Sequence, residues 1–124
     1  MKNLNPVCWF DINVTNLEES KKFYEKVLDT KLTDLPVAFG RQSTFPFSSQ
    51  GPNTTGALVE QKELIANGNN TVIYFQSEDC TTEEAKVQNA GGKVIRSKMS
   101  IGEFGFISLF RDLDGNTIGL HSRQ

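Results

Sequence analysis

His121 is the only histidine in this 124-residue chain, so any imidazole acid or base working near neutral pH must be this residue. It lies three residues from the last, where a solvated role near a fraying end competes with ligand contact and with catalysis. Asp11 interrupts the apolar run Trp9-Phe10-Asp11-Ile12. A carboxylate in such a strand needs a hydrogen-bond or ion-pair partner, or else it serves a pocket. Glu103 sits in the Gly-flanked turn 100–105, either as a solvated loop charge or as a pocket acid. Arg41 has the planar donors to clamp an anionic group, against the commoner role of a solvated arginine. Cys8 and Cys80 lie 72 positions apart with no Cys-x-x-Cys spacing and no nearby histidine, a pattern of reduced thiols and not of a disulfide framework or zinc finger. Trp9, Phe45, Phe47, Tyr74, Phe104 and Phe106 supply aromatic faces for a core or for a planar ligand. Phe45 and Phe47 fall in a loop with Pro and Gly, where they could form a lid.

The elements that position these residues must come from one small domain. Thirteen Lys and Arg against fifteen Asp and Glu leave a net charge of −2, which offers no footprint for nucleic acid or an anionic membrane. With 37% hydrophobic and 23% charged residues the composition is globular and not disordered. No apolar run is long enough to span a bilayer and the first eleven residues lack an apolar signal core, so a cytoplasmic protein is expected.

The chain repeats itself. Trp9-Phe10-Asp11-Ile12-Asn13-Val14 reads as a strand running into a helix from Leu17 to Leu28, and sixty-three residues later Val72-Ile73-Tyr74-Phe75-Gln76 runs into a helix over 81–90. Asn16 with Glu19 and Thr81 with Glu84 have capping-box spacing. Leu17, Ser20, Tyr24, Val27 and Leu28, flanked by Phe23, form the face of the first helix expected to pack on a sheet. Gly91-Gly92 closes the second helix, and extended chain resumes at Lys31 and at Lys93. Further strands are expected over Val37–Gln42 and Gly56–Gln61, with 45–53 as loop. Strands over Gly105–Arg111 and Thr117–His121 are joined by the Asp112-Leu113-Asp114-Gly115-Asn116 hairpin turn. The result is βαβββ twice, an α+β fold. One helix covers one sheet face in each half, so the other face must meet its twin, another subunit or a ligand.

The paired modules, the entry helix with Phe23-Tyr24 and the ending from Phe110 through Asp112-Leu113-Asp114-Gly115-Asn116 to Leu120 resemble the vicinal oxygen chelate superfamily over about 7–122. That superfamily includes glyoxalase I, extradiol dioxygenases, and the fosfomycin and bleomycin resistance proteins. The resemblance implies a single glyoxalase-like domain over 1–124, with modules at about 6–62 and 69–122 packed into an incomplete barrel, and a homodimer. Its metal enzymes place His, Gln or Glu at inward positions on the first and last strands of each module. Carried over, those positions fall on Trp9, Val72 and Gly119, with Glu60 as the one metal-binding side chain at the fourth. Trp, Val and Gly supply no ligand, so the usual metal site and the Lewis-acid chemistry that depends on it are not expected, and no cofactor is.

Strand alternation turns Trp9, Asp11 and Asn13 to the open cup, with Val72, Tyr74 and Gln76, and with Gly119 and His121. Two functions follow. The first is a metal-free protein that binds a small organic molecule in the cup between modules, through Trp9, Asp11, Phe45, Phe47, Tyr74 and His121. The second is a glyoxalase-like lyase or isomerase acting on a small carbonyl or thiol adduct. Its base would be Asp11, Glu60, Glu103 or His121, with a relocated metal if Asp11, Glu60 and His121 converge.

Overall fold

A computed structural model of the chain describes residues 4–38, 40–51, 53–64 and 69–124. They divide into two compact units, Trp9–Thr71, and Val72–Gln124 together with the first residues up to Cys8. The strands are β1 (Val7–Val14), β2 (Thr33–Asp34), β3 (Gln42–Thr44), β4 (Gly56–Glu60), β5 (Thr71–Gln76), β6 (Lys93–Ser100), β7 (Phe106–Arg111) and β8 (Thr117–Ser122); the helices are α1 (Leu17–Leu28) and α2 (Cys80–Val87). In the N-terminal unit the order is β2-β3-β4-β1, antiparallel until β4 closes parallel to β1. In the C-terminal unit it is β6-β7-β8-β5, with β8 parallel to β5. The sequence repeat is thus realised as one topology used twice: strand, helix, and a three-strand meander that returns beside the first strand.

In α1, Asn16 is extended (φ −132°) and its Oδ1 accepts from the Glu19 amide at 3.1 Å, which satisfies one of the orphan N–H groups of the first turn. The helix ends where Asp29 turns left-handed (φ 50°) and its N–H bonds back to Glu25. Leu17 is buried with Val14, Leu32 and Leu58, and Ile12, Tyr24 and Phe45 pack against them. Fully burying each such side chain stabilises by roughly 1.5–3 kcal/mol. The expected apolar face holds only at its N-terminal end: Phe23, Val27 and Leu28 are all more than half exposed. β2 and β3 are two and three residues long, too short to cover the last turns of the helix.

α2 is shorter than the 81–90 expected, and its cap is Asp79, not Thr81. The extended Asp79 carboxylate accepts from the Thr81 amide (3.0 Å) and hydroxyl (2.7 Å) and from Lys98 Nζ (2.9 Å). These donors pull its pKa down to about 2, Lys98 first, then the Thr81 hydroxyl and the Thr81 amide. Beyond Val87 the chain unwinds through Gly91 (φ +101°), with Gly92 N–H bonded to Val87 O at 2.9 Å.

One strand falls elsewhere than expected. Val37–Gln42 is replaced by β3 at Gln42–Thr44, because Gly40 (φ +97°) closes a turn onto Val37 O; Phe39, within the expected strand, lies outside the described residues. The 45–53 loop carries no strand among its described residues, and Pro52 lies outside them.

Candidate functional site

Val87, Phe75, Phe110 and Leu120 share the α2 side of the C-terminal sheet, so the residues alternating with them point the other way. Register then assembles the open face. Tyr74 lies beside Gly119 and Gln76 beside His121, with Ile107 across from His121 and Leu109 across from Gly119; Met99 pairs with Ile107. Ile107, Leu109 and Met99 are half-buried within the chain. Tyr74 is buried to 8% exposure, and its ring crosses Gly119 so closely that a Cβ there would lie 2.3 Å from Tyr74 Cδ2.

His121 is fixed by a turn. Gly102 and Gly105, both at positive φ, frame the short 3-10 helix Gly102–Phe104, and a Cβ on Gly105 would lie 2.4 Å from the Ser122 carbonyl. Only glycine lets this turn sit so close to β8. The turn aims the Phe104 carbonyl at His121, 2.6 Å from Nε2. A carbonyl can only accept, so Nε2 carries the hydrogen and Nδ1 is the acceptor of the neutral ring. Glu103, in the same turn, is exposed.

In the N-terminal unit, β1 turns Phe10, Ile12 and Val14 toward α1 and Trp9, Asp11 and Asn13 to the open face. Trp9 Nε1 donates to Asp11 Oδ1 at 2.9 Å, so the carboxylate has a partner two residues away on its own face. Glu60 pairs with Val14 and projects to the opposite, helix side, accepting from the Leu17 amide at 3.1 Å. Arg41 bonds both Glu60 oxygens at 3.3 Å and Glu18 at 3.2 Å. Asp11 and Glu60 therefore lie on opposite faces of one sheet, which corrects the relocated-metal grouping, and Arg41 is tied to two carboxylates and not held in reserve for a substrate. Phe45 is likewise no lid: its ring packs 5.7 Å from Phe10 and 5.6 Å from Tyr24 in the helix-side core. Phe47 is 74% exposed. Phe106 pairs with Ser122 and takes the Lys98 ammonium over its ring at 4.6 Å, away from the open face.

At the positions where the resemblance places metal ligands, Trp9 has its one donor on Asp11, Val72 is aliphatic, and the space above Gly119 is filled by Tyr74. These residues do not fit a divalent metal. Among the described residues no three His, Cys, Asp or Glu side chains gather to hold an ion. Neither thiol is activated: burial pushes both Cys8 and Cys80 above the ordinary thiol pKa.

Three open-face residues, Met99, Ile107 and Leu109, escape sequence reasoning. Their contribution depends on a register between β6, β7 and β8, whose β6–β7 ladder shifts twice; alternation along 106–111 alone was the available signal.

The family model for the Glyoxalase/Bleomycin resistance protein/Dioxygenase superfamily matches residues 6–120. No curated protein matches the chain. Among solved structures, the chain is similar to Streptomyces coelicolor methylmalonyl-CoA epimerase in complex with 2-nitronate-propionyl-CoA, at 19% identity and TM-score 0.68, covering 97% of this chain and 98% of that one. The Mycobacterium tuberculosis methylmalonyl-CoA epimerase gives 14% identity and TM-score 0.69, covering 98% and 89%. The Legionella pneumophila NAD-dependent benzaldehyde dehydrogenase gives 16% identity and TM-score 0.64, covering 94% and 98%. At such identities the likeness is one of fold, and the proteins so named differ in activity. No helix among the described residues is long and apolar enough to cross a membrane.

Proposed function

The chain belongs to the Glyoxalase/Bleomycin resistance protein/Dioxygenase superfamily, and we propose that it binds a small organic molecule on the open face of its C-terminal unit without the divalent metal of the superfamily's metal enzymes. The observation that carries this reading is the Tyr74 ring laid over Gly119. Where a ligand-bearing side chain would have to project, an aromatic face stands instead. Ile107, Leu109 and Met99 extend that face as apolar surface, and His121 and Gln76 stand together at one end of it. Such a surface suits a small aromatic or amphipathic molecule with one hydroxyl or N–H donor directed to His121 Nδ1.

The test is an amide and side-chain chemical-shift titration with 2-naphthol and related neutral aromatic alcohols. Shifts centred on Tyr74, Ile107, Leu109, Gly119 and His121 are expected, with binding weakened about tenfold in His121→Ala through loss of one desolvated hydrogen bond. Shifts confined to other surfaces would overturn the assignment.

A second reading rests on the same histidine. With Nε2–H committed to Phe104, Nδ1 is set to take a proton from carbon beside a carbonyl, the step of an isomerase or lyase. The solved methylmalonyl-CoA epimerases share the fold that would present it. Exchange of that carbon-bound hydrogen with D2O in the wild type, lost in His121→Asn while binding persists, would move the protein to this class. Binding without exchange leaves it in the first.

A further inference from the structure

We infer that the open face of the C-terminal unit takes a bipolar ligand, an apolar body that offers a neutral hydroxyl or N–H to His121 at one end and sets a phosphomonoester against Lys93 and Arg111 at the other. This rests on the reading of that face as a small-molecule site, and adds to it the charge and length of the ligand. It follows from where the charges of the sheet fall. The strands β5 to β8 hold Lys93, Arg96, Lys98 and Arg111 but no Asp or Glu, in a chain whose net charge is −2. Lys98 belongs to the helix side, with its ammonium 2.9 Å from Asp79 and over the Phe106 ring. The other three turn away from α2. Ser108 donates to Glu84 of α2 at 2.9 Å, so Leu109 and Arg111 share the open face by alternation from it. Lys93 pairs across to Arg111 and Arg96 to Leu109. Arg96 Nη1 donates to Met99 Sδ at 3.3 Å, which keeps its guanidinium on the face where Met99 meets Ile107.

Lys93 and Arg111 stand directly opposite each other across the β6–β7 ladder, a placement at which like charges destabilise a sheet. β7 is an inner strand, so Arg111 is not one of the edge charges that keep a sheet from pairing with another. Lys93, Arg96 and Arg111 are exposed, and among the described residues none is in an ion pair. The nearest carboxylates in the chain lie off the face: Glu103 in the turn at the His121 end, Asp114 exposed in the hairpin, and Asp112 turned to the Asn116 and Asp114 amides (2.9 and 3.0 Å). A phosphomonoester brings close to two negative charges, and an ammonium beside a guanidinium fork is complementary to it. Register sets the spacing. His121 lies across from Ile107, and Arg111 is four residues further along β7, about 14 Å at the rise of a strand. Leu109 and the Tyr74–Gly119 pair lie between these ends as the apolar floor.

The experiment compares 8-hydroxyoctyl phosphate with 1,8-octanediol, the same body and hydroxyl with and without the phosphate, by calorimetric and chemical-shift titration of the full chain. The phosphate is expected to bind one per chain and at least tenfold tighter than the diol, with shifts at Lys93, Leu109 and Arg111 as well as at Tyr74 and His121. Lys93→Gln/Arg111→Gln, at two exposed positions, should remove that advantage through loss of the charge-assisted bonds and leave the diol within twofold. Lys22→Gln/Lys26→Gln removes as much charge from the exposed side of α1 and should leave both ligands within twofold. No advantage of the phosphate over the diol, an advantage that survives Lys93→Gln/Arg111→Gln, or one lost equally in Lys22→Gln/Lys26→Gln would overturn the inference. Shifts confined to 93–96 and 111 would overturn it as well, by reducing the site to a bare anion contact. So would a dimer in sedimentation that Leu109→Glu dissociates, since a second copy would then cover the face. Naphthol shifts at Tyr74 without any gain from the phosphate would sink this inference and leave the first reading standing, whereas naphthol shifts confined to other surfaces would sink the first reading itself.

Discussion

Tyr74 and Gly119 are a matched pair, and each explains the other. Any side chain at position 119 would strike the ring, since even a Cβ lies 2.3 Å from Tyr74 Cδ2 and 2.5 Å from Cε2. Gly119→Ala is therefore expected to destabilise by about 1–3 kcal/mol, as overpacking of a filled site does. Tyr74→Ala in the same chain should recover part of that loss, which paired denaturant melts would measure as a coupling energy. The glycine at this position was legible from the ending of the chain, and the ring over it was not. Tyr74 precedes Gly119 by 45 residues, and only the parallel register of β5 and β8 brings them together. Asp11 shows the reverse case. Its need for a partner follows from its place in an apolar strand, and strand alternation already puts Trp9 on the same face.

The helices differ in what holds their first turns, and that difference is testable. Asn16 caps α1 through a neutral amide, so Asn16→Ala should cost about 1 kcal/mol at any pH, read from the midpoint of urea unfolding. Asp79 caps α2 through a carboxylate whose folded pKa, about 2, lies below its ordinary 3.8. Because the folded value is depressed, the stabilisation is present above pH 4 and is lost as pH falls toward 2. Asp79→Asn should flatten that part of the stability–pH curve; an unchanged acid limb would rule out the Lys98–Asp79–Thr81 cluster as its source. The start of α1 and the last hairpin could be read from sequence because caps and turns are local chemistry, whereas the cap of α2 falls on Asp79 and not on Thr81. The β3 strand could not. Its boundary is set by a glycine turn at 37–40 and by pairing with β4 at Ser43 and Thr44, while Val37 and its neighbours only resemble a strand.

At the scale of the whole molecule, the duplicated strand order is what makes the chain readable: the same helix-then-meander sequence yields β2-β3-β4-β1 and β6-β7-β8-β5. Topology leaves two faces on each sheet, and chemistry distinguishes them. α1 is backed by Leu17, Val14, Leu32 and Leu58, α2 by its own Cys80 and Val87 over Leu120, and on the open face of the C-terminal unit the Tyr74 ring fills the space above Gly119. Fold was legible because it rests on repeated patterns, whereas the site rests on which particular side chains interrupt them. Ligand binding without the superfamily's metal is tested most directly by elemental analysis combined with native mass spectrometry on protein made in metal-containing medium and dialysed against a mild chelator. Less than a tenth of an equivalent of Zn, Ni, Fe or Mn per chain is the predicted result, with no rise in Tm on adding any of them, since a metal that binds the native state at 100-fold its Kd would add about 2.7 kcal/mol. One equivalent retained per chain would contradict it.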